Sequence, residues 1–353
     1  MSGHSQPVSN RGLYRLGCAA ALVAAGLAWG LLGSDDARTI ASFTAAWLFF
    51  AGAASGAVAV SALLELTGAG WAGPMHEVTG RLTRYLPVAA VLLVMVAVLT
   101  AETQAMHGGA AVGFIAREIA AGLGLLAFAR YAMRGAAGHR RGWVLITYCL
   151  VFGVVGSLWS FDFVVLPAPG FSSTLIGPHL FVGAFISGAA LTVVGGLLGR
   201  TMDQRQRRDA ATLLIALAIF WAYLFWSQLL TLWYGHLPEE TAFLARRYVY
   251  GWQIVTLVVV LTTLAVPFAL LLSSWGKRSV PILGIAAGSQ LLGLWLEREL
   301  LVAPAAGGHA ASLLTPPVIL VEVGMVALFV LSTGPWTARD TTPGTPPPAR
   351  SSP

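Results

Sequence analysis

Apolar residues occur along this chain in long blocks broken by short polar stretches, and the length of the blocks decides the fold. A helix crossing a hydrocarbon core of about 30 Å takes roughly 20 apolar residues. Blocks of that order run over about 12–33, 40–66, 85–101, 110–133, 143–164, 175–199, 210–235, 247–275, 279–301 and 313–332, which predicts ten transmembrane helices. The period-two alternation of a membrane β-barrel, the other way to satisfy backbone hydrogen bonds in lipid, is absent. The polar start, 1–10, and the Pro/Thr/Ser tail, 333–353, cannot build a packed core and are expected to be disordered. The first block fits a cleaved leader as well as an anchor. No small-x-small site precedes Asp35, which favours a retained anchor.

One stretch departs from plain hydrophobicity: FWAYLFWSQLLTLWYGHLPEETAFLARR, residues 220–247. At helical spacing Tyr223, Ser227, Thr231 and Tyr234 fall at i, i+4, i+8 and i+11, so four hydroxyls share one stripe. Trp221 and Gln228 lie two turns apart on a neighbouring stripe. The helix is expected to break at Pro238, show the carboxylates Glu239 and Glu240, and resume behind Arg246 and Arg247. Pro267 should kink the eighth helix by removing a backbone hydrogen bond. Glycines at Gly52-x-x-x-Gly56 and at Gly183, Gly188, Gly195 and Gly196 mark surfaces where helices can approach closely.

Composition sharpens the class. The 353 residues are 57% hydrophobic and only 10% charged, where a soluble domain carries about 25% charged residues. The chain therefore reads as an all-α polytopic membrane protein. Its net charge of +6 is spread by topology rather than gathered into a nucleic-acid patch. Most lysines and arginines fall in the loops on the side of the two termini, which by the positive-inside rule puts both termini in the cytoplasm and the Glu239-Glu240 hairpin outside. With two cysteines, Cys18 and Cys149, and no CxxC or Cys/His cluster, zinc and iron–sulfur ligation are not supported and no metal site is expected. Of seven histidines only His179 lies well inside a block, so a bis-histidine haem is excluded.

Candidate chemistry is confined to ionisable and polar groups at membrane depth, where a central charge costs at least about 2.5–3.5 kcal/mol. These are Arg117, Glu118, Asp162, His179, Glu297, Arg298, Glu299 and Glu322. Adjacent residues such as Arg117 and Glu118 point in different directions, so each is expected to need its own partner. Two readings stay open for every one of them: a buried structural group, or a step in a proton path. The hydroxyl stripe likewise either lines that path or bonds back to its own helix carbonyls. Glu118, Asp162, His179, Tyr223, Ser227, Thr231, Tyr234 and Glu322 are the proton-path candidates. Trp221, Gln228, Glu239, Glu240 and Arg246 are the polar groups of the hairpin for which the resemblance given next implies a quinone-facing wall, and no residue is a catalytic candidate on its own.

The hairpin sequence FWAYLFWSQLLTLWYGHLPEET resembles the signature of the second quinone-binding-type membrane subunit of alternative complex III, in the polysulfide-reductase (NrfD-like) membrane family. AWLFFAGAASGAVAVSALLELTGAGW (46–71), SFDFVV (160–165), FSSTLIGPHLFVGAF (171–185), VPFALLLSSWGKR (266–278) and LWLERELLVAP (294–304) agree with it in order. The matched positions are Asp162, Ser172, Trp221, Tyr223, Ser227, Gln228, Tyr234, Glu239 and Glu240. Between Asp162 and Phe171 the chain departs from the family's polar run, and it carries His179 where a tyrosine is usual. The resemblance implies two four-helix bundles, about 40–164 and 175–301, with flanking helices. It implies a multi-pass subunit of the bacterial inner membrane in a quinol:cytochrome c oxidoreductase. Implied partners are a paralogous NrfD-like subunit, an iron–sulfur subunit and multihaem cytochrome c subunits, with a terminal oxidase as a further candidate. Haem c and iron–sulfur clusters would sit in those partners, and quinone or quinol would be the ligand. A purely structural anchor and a secondary transporter are the rival classes.

Overall fold

The computed structural model describes residues 10–33, 36–69, 72–134, 139–235 and 238–334. Of the ends expected to be disordered, 1–9 and 335–353 fall outside them, while Asn10 opens the first helix and Thr333 is a buried helical residue of the last. Ten helices among the described residues are long and apolar enough to cross a membrane, and no strand occurs there. The protein is an all-α polytopic membrane protein.

The helices are α1 (Asn10–Leu32), α2 (Asp36–Leu66), α3 (Ala72–Leu82), α4 (Leu86–Thr103), α5 (Gly108–Met133), α6 (His139–Ser160), α7 (Ile176–Leu198) and α8 (Gln204–Gly235). They are followed by α9 (Pro238–Ala245), α10 (Trp252–Val260), α11 (Val266–Leu271), α12 (Val280–Val302) and α13 (Pro316–Thr333). The spans alternate in direction, so the far ends of α1, α4, α6, α8 and α12 share one side of the bundle. That side is called the hairpin face, after α9.

α2 and α7 form the centre. α2 is buried on all sides, because its run of Ala, Gly and Ser lets α4, α5, α6, α7, α12 and α13 pack around it. The contact with α7 is backbone to backbone. A side chain on Gly56 would strike the Ala184 carbonyl, and one on Gly188 would strike the backbone of Gly56 and Ala57. α1 lies along α13, where Gly26 and Gly324 give the close approach. Without water in the core, polar side chains must find protein partners. The Trp47 indole donates to the Ala89 carbonyl at 2.8 Å, and the Tyr148 hydroxyl to the Ser55 carbonyl at 2.7 Å.

Several expected boundaries shift, and helix resumes already at Pro238, as α9, instead of behind Arg246 and Arg247. The third span begins early, as α3 runs through a 3-10 turn (Thr83–Tyr85) into α4. The polar residues that obscured it include Glu77 and Arg81, which pair one turn apart at 2.8 Å. The eighth span starts at Trp252 instead of 247. Tyr250 and Gly251 take left-handed backbone (φ 56° and 86°), which turns the chain before α10. At Pro267 the helix widens: Leu261–Ala265 is π-helical immediately before the proline. Gly293 of α12 admits Thr262 and Thr263 of that widened stretch. A second π stretch, Phe161–Val165, closes the α6 span and carries Asp162.

Gly188→Ala should destabilise the protein by about 1–3 kcal/mol, since the clash is with backbone that cannot rotate away. Gly124→Ala, which meets open space, should be neutral or gain up to about 1 kcal/mol of helix propensity. Thermal unfolding in detergent separates the two; equal melting temperatures would contradict the close α2–α7 contact.

Candidate functional site

The most heavily partnered ionisable group lies where α7, α8 and α12 meet. Glu297 is buried, and each of its oxygens is held. Oε1 contacts His179 Nε2 at 2.7 Å and accepts from Trp221 Nε1 at 2.6 Å. Oε2 accepts from Arg298 Nη1 at 2.7 Å, and Arg298 Nη2 donates to the Leu180 carbonyl at 3.0 Å. A side chain on Gly183 would strike the Arg298 guanidinium, so this glycine makes room for the cation. A carboxylate held by an arginine, an indole and an imidazole satisfies the requirement that a buried charge be both paired and hydrogen-bonded.

Towards the hairpin face, a mostly apolar pocket opens beside this cluster, with about 570 Å³ of empty space counting its mouth. His179, Gln228, Phe243, Arg247 and Glu297 are among its walls. Three nitrogen atoms of these walls are buried without a protein partner: His179 Nδ1, Gln228 Nε2 and Arg247 Nε. Gln228 is oriented by Ser173, whose hydroxyl donates to Oε1 at 2.6 Å. Phe171 and Phe243 stack with ring centroids 3.6 Å apart, and the Arg247 guanidinium lies 3.3 Å from the Phe243 ring centre on another contact of that ring. Arg247 also donates to the carbonyls of Phe243 and Leu301, both at 2.6 Å. Burial lowers its pKa to about 9, helped by Arg246, which leaves it a cation at neutral pH. α9 is thereby tied down over the pocket. Ser172 adds a longer tie, donating to Glu240 at 3.3 Å.

The other candidates fall elsewhere. Arg117 folds back to Glu118 at 3.3 Å and reaches Asp162 at 2.7 Å, so one arginine serves two acids and Asp162 pairs across to α5. Glu322 accepts from Trp295 Nε1 at 2.9 Å on the far side of α12. The hydroxyl stripe faces outward: Tyr223 is 63% and Tyr234 85% exposed. Thr231 bonds back to the carbonyls of Ser227 and Gln228. The inward stripe of α8 is the neighbouring one, with Trp221 and Leu232 buried and Gln228 at the pocket. Arg246 is exposed and its neighbour Arg247 takes the buried position. Glu239's side chain lies outside the described residues. Among those residues, no group of three or more His, Cys, Asp or Glu side chains could hold a metal ion.

Glu297 and Arg298 are among the ionisable groups at depth but not among the proton-path or quinone-facing candidates, and Arg247 is in none of these sets. The signal for the first two was present: Glu297-Arg298-Glu299 puts three consecutive ionisable residues inside a span. No protein-family model matches the sequence, and no curated protein matches it either.

Glu297→Ala, which strands the buried Arg298 charge, should cost about 3–5 kcal/mol. Trp221→Phe, which removes one donor to a charged acceptor, should cost about 1.5–3 kcal/mol. Chemical or thermal unfolding in detergent gives the order; a Glu297→Ala variant as stable as wild type would show that the cluster is not formed.

Proposed function

We propose that the chain is an integral membrane subunit of a quinol:cytochrome c oxidoreductase of the alternative complex III type, in a bacterial inner membrane, and is not catalytic alone. The observation that carries this reading is the pocket whose walls hold three unpartnered buried nitrogens beside the Glu297 cluster. A quinol head group is a flat apolar ring with a hydroxyl at either end. It calls for aromatic or aliphatic walls, a polar group for each oxygen, and an acceptor for each departing proton.

The residues supply these parts. If His179 Nε2–H donates to Glu297, its Nδ1 has a lone pair to take a quinol proton, and the anion of Glu297 stabilises the resulting imidazolium. The Gln228 amide offers an N–H to the second oxygen. Oxidation would release two protons, one to His179 and the other to water at the pocket mouth, and two electrons, for which haem c or iron–sulfur groups of the proposed partner subunits would be the acceptors. Protons leave by the hairpin face, with Glu118, Asp162 and Glu322 as separate proton-holding stations. The stripe of Tyr223, Ser227, Thr231 and Tyr234 belongs on this account to a surface covered by a second membrane subunit, which would partner the outward tyrosine hydroxyls, while Thr231 is satisfied by its own helix.

His179→Gln should lower quinol oxidation by about 100-fold or more, the range of a lost general base, while the complex still assembles and c-type haem still co-purifies. Solitary purification of the wild-type chain in mild detergent, with no haem and no quinol oxidation, would refute the assignment.

A further inference from the structure

Away from the pocket, on the opposite side of α12, two carboxyl groups meet. Glu299 is 1% exposed, and the Glu322 carboxyl faces it from α13. Each acid has one oxygen fixed by a protein donor: Glu299 Oε2 accepts from the Ser42 hydroxyl at 3.0 Å, and Glu322 Oε2 from Trp295 Nε1 at 2.9 Å. Each has its other oxygen, Oε1, buried with no protein donor. Trp295 and Glu299 lie one turn apart on α12, so the bond to Trp295 brings the Glu322 carboxyl beside Glu299, and a carboxylate has no hydrogen to give. A proton is the missing donor.

We infer that Glu299 and Glu322 together form a proton-binding site that holds one proton shared between their facing oxygens. Two anions at hydrogen-bonding distance inside a membrane protein would repel without screening, whereas one proton converts that repulsion into a charge-assisted hydrogen bond. The neighbouring charges do not replace it. On α12, Glu297 and Arg298 turn to α7 and satisfy each other and His179. On α2 the group that reaches the pair is Ser42, while Arg38, one turn away, lies against Gly308. Glu322 is the only ionisable residue of α13, and α1 contributes none between Leu16 and Leu32 other than Cys18. This inference does not depend on a quinone occupying the other pocket.

The test counts protons. Infrared difference spectra between wild-type protein and the isosteric double variant Glu299→Gln/Glu322→Gln, in detergent at neutral pH, should show the loss of one protonated-carboxyl band and one carboxylate band. Loss of two protonated bands, or of two carboxylate bands, would overturn the proposal. The wild type provides an independent count that needs no variant to fold. A hydrophobic carbodiimide, which attacks protonated carboxyls, should label Glu299 or Glu322 once per chain. Chains labelled at both, or at neither, would contradict a shared proton.

Discussion

A carboxylate enclosed by membrane helices has only the protein to satisfy it, and that constraint at Glu297 fixes the geometry around the candidate site. Its oxygens are taken up by groups from α7, α8 and α12. Those three helices are therefore locked together at one depth, with Gly183 left bare to admit the Arg298 guanidinium. The pocket exists because α9 then crosses the gap above, held by Arg247 and the stack of Phe171 on Phe243. The proposal of quinol chemistry stands on these walls.

The same constraint separates the buried acids instead of gathering them. Asp162 is engaged with Arg117, Gln228 with Ser173 at the pocket, and Glu322 with Trp295. Each group has a local partner, an arginine, a serine or a tryptophan, and each keeps one buried polar atom unpartnered. The pocket beside Glu297 is lined by Gln228 and by neither Asp162 nor Glu322. Proton movement in such a molecule would proceed between distinct stations by way of water, with the hairpin face as the shared exit.

Much of the architecture was legible in the sequence, because block length and hydropathy register directly in lipid. All ten spans are there, and the ionisable residues at depth pick out Glu118, Asp162, His179 and Glu322 as groups needing partners. What periodicity could not supply is the rotation of a helix about its own axis. Tyr223, Ser227, Thr231 and Tyr234 do share a face, but the face turned inward is the one bearing Trp221 and Gln228. Likewise, spacing could not tell which of Arg246 and Arg247 is buried, since the left-handed turn at Tyr250 and Gly251 that aims them is not a hydrophobic pattern. The π stretches at Asp162 and before Pro267 escaped for the same reason: one extra residue in a turn leaves composition unchanged.

The most direct measurement of the central claim is photolabelling of the purified membrane protein with an azido-quinone, followed by mapping of the adduct. The account predicts attachment within the pocket, on α8 around Phe225 to Leu229 or on Phe243 to Tyr248. Label confined to the exterior of α8, at Tyr223 and Tyr234, or scattered over the lipid-facing residues, would contradict it.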